Sequence, residues 1–306
     1  MGRVVWHNGN LIPEAEARVS IYDSALMFGD MVFEMTRSFH GVHFKLDEHL
    51  DRLFRSAELT HQTVPYTKDE LKSAIALVTE ENAKMFQPDD EHRLLINVSR
   101  GVLGMYDGLV DVPSGPQVMI ADFPLRWTMV GMSRFYDEGV AMRLIDDPGY
   151  PIPTAKHRSR LAFQLGNAQV RPGEWPLFHD SGGWLRETSG ANIFLVQGTI
   201  ALTPHEGCLP GISAGYIADI GNVSHARVNS SLIPKCDELF VSATPFCLLP
   251  VTKVNDVPVG DGNPGPIYRR LLALWSENVD VDIAAQARSW DAVPRTRTGP
   301  STYAFR

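Results

Sequence analysis

The stretch Asp122-Phe123-Pro124-Leu125-Arg126-Trp127 most limits how this chain can fold, because two differently patterned halves meet there. Ahead of it, helical and strand patterns mix over about 120 residues, the size of a domain. Beyond it, short strands punctuated by glycine turns dominate. The pattern predicts an α+β protein: a small α/β domain over residues 1–121, a linker over 122–132 and a larger domain over 133–306.

In the first half, Asn8-Gly9 predicts a hairpin turn between residues 4–6 and 11–12. A turn follows at Tyr22-Asp23-Ser24, then a strand over 32–39 that turns at His40-Gly41. A helix begins near Asp47, with Leu50, Leu53, Phe54 and Ala57 as its apolar stripe. A second helix covers 68–85, and strands cover 94–99 and 117–121. In the second half, strands are expected at 140–145, 177–179, 184–194, 199–202 and 238–242. Helices are expected at 157–170, from after Pro210-Gly211 to about 220, and at 265–275, with a loosely held tail after Trp290.

Composition excludes several classes. A net charge of -8 and the lack of any Lys/Arg-rich run argue against nucleic acid as a partner. No apolar stretch is long enough to span a bilayer, and the first residues carry no signal-peptide core, so a cytoplasmic protein is expected. Cys208, Cys236 and Cys247 are odd in number and lack metal-type spacing, which reads as ordinary thiols with no structural metal.

Two residues stand out chemically. Lys156 follows a proline-fixed approach, Pro151-Ile152-Pro153-Thr154-Ala155. Position alone favours a solvated surface lysine. Glu187 lies in a strand-rich stretch flanked by Trp184, Leu185, Ile193 and Phe194. A buried acid there needs a partner; an exposed one paired with Arg186 is equally open, since strand faces alternate. Together they are what pyridoxal phosphate chemistry requires: an amine to hold the aldehyde as a Schiff base and an acid to face the pyridinium nitrogen. The phosphate needs a third site. Leu209-Pro210-Gly211-Ile212-Ser213 puts amides and a hydroxyl at a helix N-terminus, which binds anions but more often is simply capped. Thr244 offers a second hydroxyl. Arg52 offers a cation off the helix's apolar stripe, or else a surface pair with Glu48.

The order of four blocks carries more than any one residue. They are Phe28-Gly29-Asp30-Met31-Val32-Phe33-Glu34, Glu48-His49-Leu50-Asp51-Arg52-Leu53, Glu187-Thr188-Ser189-Gly190-Ala191-Asn192-Ile193-Phe194 and Leu209-Pro210-Gly211-Ile212. In that order the chain resembles the class IV aminotransferases, the fold-type IV pyridoxal phosphate enzymes. The resemblance implies a small α/β domain, a larger domain with a barrel-like sheet, and a homodimer. It implies that Lys156 is the Schiff-base lysine and Glu187 the pyridine-nitrogen partner. It gives Arg52, Ile212, Ser213 and Thr244 to the phosphate cradle and Ser189 and Asn192 to the cofactor's surroundings. Phe33, Arg37, Arg93 and Met105 fall on its substrate side; strand-end arginines reaching solvent are the alternative for Arg37 and Arg93.

The implied reaction moves an amino group from a branched-chain or other apolar amino acid to a 2-oxo acid by a ping-pong scheme. Two departures leave other donors open. Met35 stands where branched-chain enzymes resemble one another in a glycine, and Ser213-Ala214 where they usually have Thr-Arg. The alternatives are a D-amino acid or (R)-amine transaminase on the same fold, or an aminodeoxychorismate lyase-like enzyme. A pyridoxal phosphate-binding protein without turnover is the reading from another class.

Overall fold

The structure, a computed structural model, describes residues 2–111 and 114–292. The chain divides into two compact units: Met1–Leu125 with Ala155–Arg160, and Arg126–Thr154 with Leu161–Arg306. This shifts the boundary expected at 121. It also moves Ala155–Arg160, expected in the second domain, into the first unit.

In the first unit, β1 (Val4–His7) and β2 (Asn10–Pro13) form the expected hairpin. Asn8 and Gly9 adopt φ of 44° and 95°, the left-handed pair a two-residue turn demands. The turn expected at residues 22–24 instead opens α1 (Ser24–Phe28), because the Asp23 carboxylate accepts from Ala25 N at 2.8 Å. The strand expected over 32–39 is interrupted. β3 (Met31–Met35) ends, and β4 (Ser38–Phe39) pairs with β5 (Val42–His43). Side chains explain the break: Thr36 Oγ1 bonds His43 Nδ1 at 2.9 Å, and the Glu91 carboxylate accepts from Ser38 Oγ, His40 N and Gly41 N.

α2 (Leu46–Leu59) and α3 (Lys68–Ala83) follow, the latter closed by a Thr67/Glu70 capping box. With β6 (His92–Ser99) and β7 (Gln117–Pro124) the unit makes a five-stranded sheet, β2-β1-β7-β6-β3. β7 thus continues through the start of the expected linker. Leu50 and Leu53 of α2 and Leu71 and Val78 of α3 bury against Leu94 and Ile96 of β6. Helices therefore cover one face of the sheet. Asn82 ties α3 to the sheet by donating to Val4 O and Asp122 O and accepting from Val4 N.

The second unit opens with two short helices, α4 (Arg126–Met129) and α5 (Phe135–Glu138), then β8 (Val140–Asp146) and α6 (Leu161–Asn167). The helix expected from 157 starts only at Leu161, because residues 155–160 are committed to the first unit. β9 (Glu174–His179), β10 (Leu185–Thr188), β11 (Asn192–Gln197) and β12 (Ile200–Thr203) follow. The single strand expected over 184–194 is thus two strands. Thr188 Oγ1 makes the turn between them, accepting from Gly190 N and Ala191 N.

α7 (Ile212–Ile220), β13 (Val223–His225), β14 (Glu238–Ala243), β15 (Cys247–Val254), β16 (Val257–Pro258) and α8 (Pro266–Asn278) come next. α9 (Ile283–Asp291) lies where no helix was expected, and Trp290 is buried on it. The rest of the expected loose tail, residues 293–306, lies outside the described residues. The strands run β10-β9-β8-β15-β14-β11, and β11 pairs back onto β10, which closes six strands into a barrel. Phe194 and Phe240 stack within it at 4.9 Å. No helix among the described residues is long and apolar enough to cross a membrane.

Burial makes the first unit acid-sensitive. Burial, then the charges of His92 and His49, push His43 down to about 3, and burial also lowers His49. Both stay neutral in the fold, while in the unfolded chain they take up protons below about 6.5. The unfolded state therefore binds more protons, and stability falls as pH drops from about 6.5, at most about 1.4 kcal/mol per pH unit for each group. Between pH 7 and 5 the melting temperature should fall, and less steeply in His43→Gln. An identical slope in the variant, read by circular dichroism, would contradict this.

Candidate functional site

In the first unit the lysine is held as a strand. Residues 155–160 run antiparallel to β3 through a Val32–His157 bridge. Phe33 N donates to Lys156 O at 3.0 Å and Arg158 N to Met31 O at 2.8 Å. Lys156 N donates to Ser56 Oγ on α2 at 3.0 Å. Side chains alternate along such a segment. His157 goes with Val32 to the helix-covered face, and both are buried. Lys156 and Arg158 go with Phe33 to the other face. The Lys156 ammonium lies 4.8 Å from the Phe33 ring centroid.

Under the helices sits a charge cluster. The Glu34 carboxylate, fully buried, accepts from Arg52 Nε at 2.6 Å and Nη2 at 2.9 Å, and bonds His49 Nδ1 at 2.8 Å. Burial alone would raise the Glu34 carboxyl, but Arg52 and His49 hold it well below the usual carboxylate range. Arg52 is therefore no surface partner of Glu48, which pairs with Lys45 instead. Its guanidinium is aimed by a fork that the sequence spacing did not reveal.

The other arginines are buried too. Arg37 is 1% exposed, its guanidinium 3.9 Å over the Phe39 ring and its Nε donating to Ser38 O. Arg93 is 3% exposed, with Nη2 3.7 Å from Met35 Sδ. Neither ends a strand in solvent, contrary to the alternative reading. Arg93 and Asn97 share a face of β6, and Asn97 pairs with Phe33 across the strands, so Phe33, Met35, Arg93, Lys156 and Arg158 share one face. Met105 differs, being 70% exposed in a 3-10 turn.

In the second unit, Glu187 and Asn192 are direct partners on β10 and β11, and Asn192 pairs with Ser242 on β14. Partners directly opposite point the same way, so the three line up on one face. Glu187 and Asn192 clamp one residue: Leu209 N donates to Glu187 Oε1 at 3.1 Å, and Asn192 Nδ2 donates to Leu209 O at 2.9 Å. That clamp sets the Leu209-Pro210-Gly211 turn and the start of α7. A Cβ at Gly211 would meet Asn192 Oδ1 at 2.0 Å, so any larger residue must push Asn192 out of the clamp. Beside the clamp, burial and then the Glu187 charge push the Cys208 thiol up to about 12, leaving it protonated and unreactive. Ser189 Oγ donates to Asn167 Oδ1 at 2.7 Å. Thr244 is half-buried in the turn between β14 and β15.

A model of the family described as amino-transferase class IV matches residues 31–254. The chain belongs to the class IV aminotransferases. It is 28% identical to a branched-chain-amino-acid aminotransferase-like protein 2 of Arabidopsis thaliana over 299 residues, 90% of this chain and 50% of that protein. This chain thus spans about half the length of that plant relative. It is 26% identical to a D-alanine aminotransferase of Listeria monocytogenes, covering 89% of this chain and 94% of that one. The branched-chain amino acid aminotransferase of Escherichia coli superposes with a TM-score of 0.76 at 25% identity, covering 90% of this chain and 94% of that one.

Class IV aminotransferases use pyridoxal 5′-phosphate, and the second unit's residues suit it. Gly211 caps α7 without a side-chain hydrogen bond, which leaves the first-turn amides of Ile212 and Ser213 to an anion. Ser242 Oγ is buried and has no hydrogen-bond partner among the described residues. Asn167 Nδ2 is in the same position. Orphaned polar atoms of this kind are rare in a finished core and fit a site built for a polar ligand. Sequence reasoning missed both, since an isolated serine or asparagine carries no motif.

Gly211→Ala should displace Asn192 and weaken pyridoxal 5′-phosphate binding to the apoenzyme by roughly tenfold, about 1.4 kcal/mol. Equilibrium dialysis reads this directly. Unchanged affinity would remove the 209–213 turn from the cofactor's cradle.

Proposed function

We propose that this chain is a transaminase that moves the amino group of an α-amino acid with an apolar side chain to a 2-oxo acid, in two half-reactions of a ping-pong cycle. The observation that carries this is Lys156: within a family-matched segment it is fixed as a strand, with its ammonium over an aromatic ring. A solvated surface lysine has neither feature.

When bound, pyridoxal 5′-phosphate supplies the aldehyde that captures the amino group and a ring that takes up electron density. The chain's residues do the rest. Lys156 Nζ would hold the cofactor's aldehyde carbon and, when free, would take the proton from the donor's Cα as general base. Glu187 holds a proton at the pyridine nitrogen. For the phosphate, the first unit would contribute Arg52, aimed by Glu34 and His49, and the second unit the Ile212 and Ser213 amides with the Ser213 and Thr244 hydroxyls. Ser189 and Asn192 brace the surroundings. Phe33, Met35 and Arg93 line the substrate side of the first unit's sheet, and the buried Arg37 is assigned to the substrate with them.

A second reading, a D-amino acid transaminase, draws support from the similarity to the Listeria enzyme and from Met35 in place of a small residue. The donor's hand decides between the two. L- and D-amino acids added separately to the holoenzyme should convert the cofactor's absorbance with one hand only, and turnover without an acceptor would mark a lyase instead.

Borohydride reduction should leave the phosphopyridoxyl label on Lys156, read by peptide mass mapping; a label on another lysine would remove the mechanism. Glu187→Gln keeps an oxygen for Leu209 N, so it should fold and bind cofactor yet slow the half-reaction by roughly a hundredfold or more, as loss of a charge-assisted contact implies. An unchanged rate would remove the ring-nitrogen role. A homodimer of this 34.0 kDa chain is also proposed. It is supported by the exposed apolar side chains Ile21, Leu26, Phe28, Met105 and Leu109 in the first unit. Light scattering at the monomer mass would contradict it.

A further inference from the structure

Arg158 is a half-buried cation with no acid beside it. Its Nε and Nη2 both reach Asn97 Oδ1, at 3.4 and 3.1 Å, and its guanidinium lies 3.7 Å from the Phe33 ring centroid. No carboxylate among the described residues pairs with it. Burial, followed by the neighbouring Arg160 charge, lowers it to about 10, so it remains charged at neutral pH. A guanidinium has five donors, and a single amide oxygen leaves most of them without a strong acceptor. Closing such a charge off from its remaining water, as a bound substrate would, is costly unless that substrate brings an anion to meet it.

Its position relates it to Lys156. Residues 155–160 are extended along β3, so Arg158 and Lys156 point to the same side, about 6–7 Å apart along the backbone. Both cations rest on the one ring of Phe33. An α-amino acid spans such a gap: its nitrogen goes to the place of Nζ while its carboxylate, one carbon away, extends toward the guanidinium. Arg93 lies four residues from Asn97 along β6, about 13 Å further along the strand. It is placed for a side chain rather than for the carboxylate.

We propose that Arg158, braced by Asn97 and Phe33, binds the α-carboxylate of the amino donor and of the 2-oxo acceptor. The proposal rests on the transaminase reading and deepens it. A simple amine brings no anion and leaves Arg158 unpaired in a closed site, so the enzyme discriminates against it. The substrates are therefore amino and oxo acids, not amines.

The test is calorimetric titration of the holoenzyme with 3-methylbutanoate, a carboxylate that lacks an amino group and so needs no turnover. Wild type should bind it; Arg158→Gln should lose roughly ten- to a hundredfold in affinity, the worth of charge-assisted hydrogen bonds. Asn97→Asp, which keeps the guanidinium but gives it an internal acid, should lose a similar factor. Unchanged binding in Arg158→Gln, or none in wild type, would overturn the proposal. A second measurement separates specific from structural effects. Arg158→Gln should raise KM for amino acids and increase the conversion of cofactor absorbance by carboxylate-free amines, because the unpaired cation that disfavours them is gone; equal losses for both would also overturn the proposal. Should no donor convert the wild-type cofactor, the transaminase reading fails, while the titration still decides the carboxylate site.

Discussion

Two backbone hydrogen bonds, Phe33 N to Lys156 O and Arg158 N to Met31 O, determine what the first unit offers chemically. They turn a proline-rich connection into an extra strand beside β3. From then on the alternation of side chains assigns the faces: His157 inward under the helices, Lys156 and Arg158 outward with Phe33. A slip of one residue would bury the lysine under α2 and put an imidazole over the ring. Ser56 Oγ, which accepts from Lys156 N, helps fix the register from the helix side. The Lys156 backbone is thus positioned by main-chain bonds rather than by contacts of its own flexible stem.

The second unit applies the same economy to the acid. Glu187 and Asn192 face each other across the barrel's closing pair and grip Leu209 by both its N–H and its carbonyl. One residue held at both its N–H and its carbonyl orients the following turn, and the turn orients the amides of α7. Glu187 therefore has a structural duty alongside the chemical one proposed for it. That duality is why replacing it by alanine would confuse two effects, whereas glutamine preserves the acceptor and removes only the charge.

Local chemistry was legible in the sequence where it is self-contained. Asn8-Gly9 declares its hairpin because both residues tolerate positive φ. The Leu50/Leu53/Ala57 stripe declares α2, and Pro210-Gly211 the start of α7. The order of the four blocks carries the family, and the barrel with it. Features set by distant partners were not legible. Arg52 looks like a surface residue until Glu34, eighteen positions away, is folded beneath it. The break after β3 depends on Glu91 collecting two backbone amides and a hydroxyl from another segment. The helix expected from residue 157 loses its first turn because β3's free edge competes for the same backbone and wins.

The buried fork on Glu34 also bears on why an arginine stands at position 52. A carboxylate with no exposed surface is tolerable only if its charge is matched and its lone pairs are filled. Arg52 and His49 do both, and His49, kept neutral by burial, adds a hydrogen bond without adding a second charge. The cluster then carries no net charge, yet the guanidinium's orientation is fixed at two of its nitrogens. A lysine would match the charge but not the fork, and would leave its ammonium free to swing. Fixing the cation before any anion arrives removes the entropy that a flexible side chain would lose on binding. Arg158 meets the same requirement differently, with an amide oxygen and a ring face in place of an acid. The first arrangement neutralises its arginine and the second leaves the charge uncompensated, so of the two it is Arg158 that has most to gain from a carboxylate.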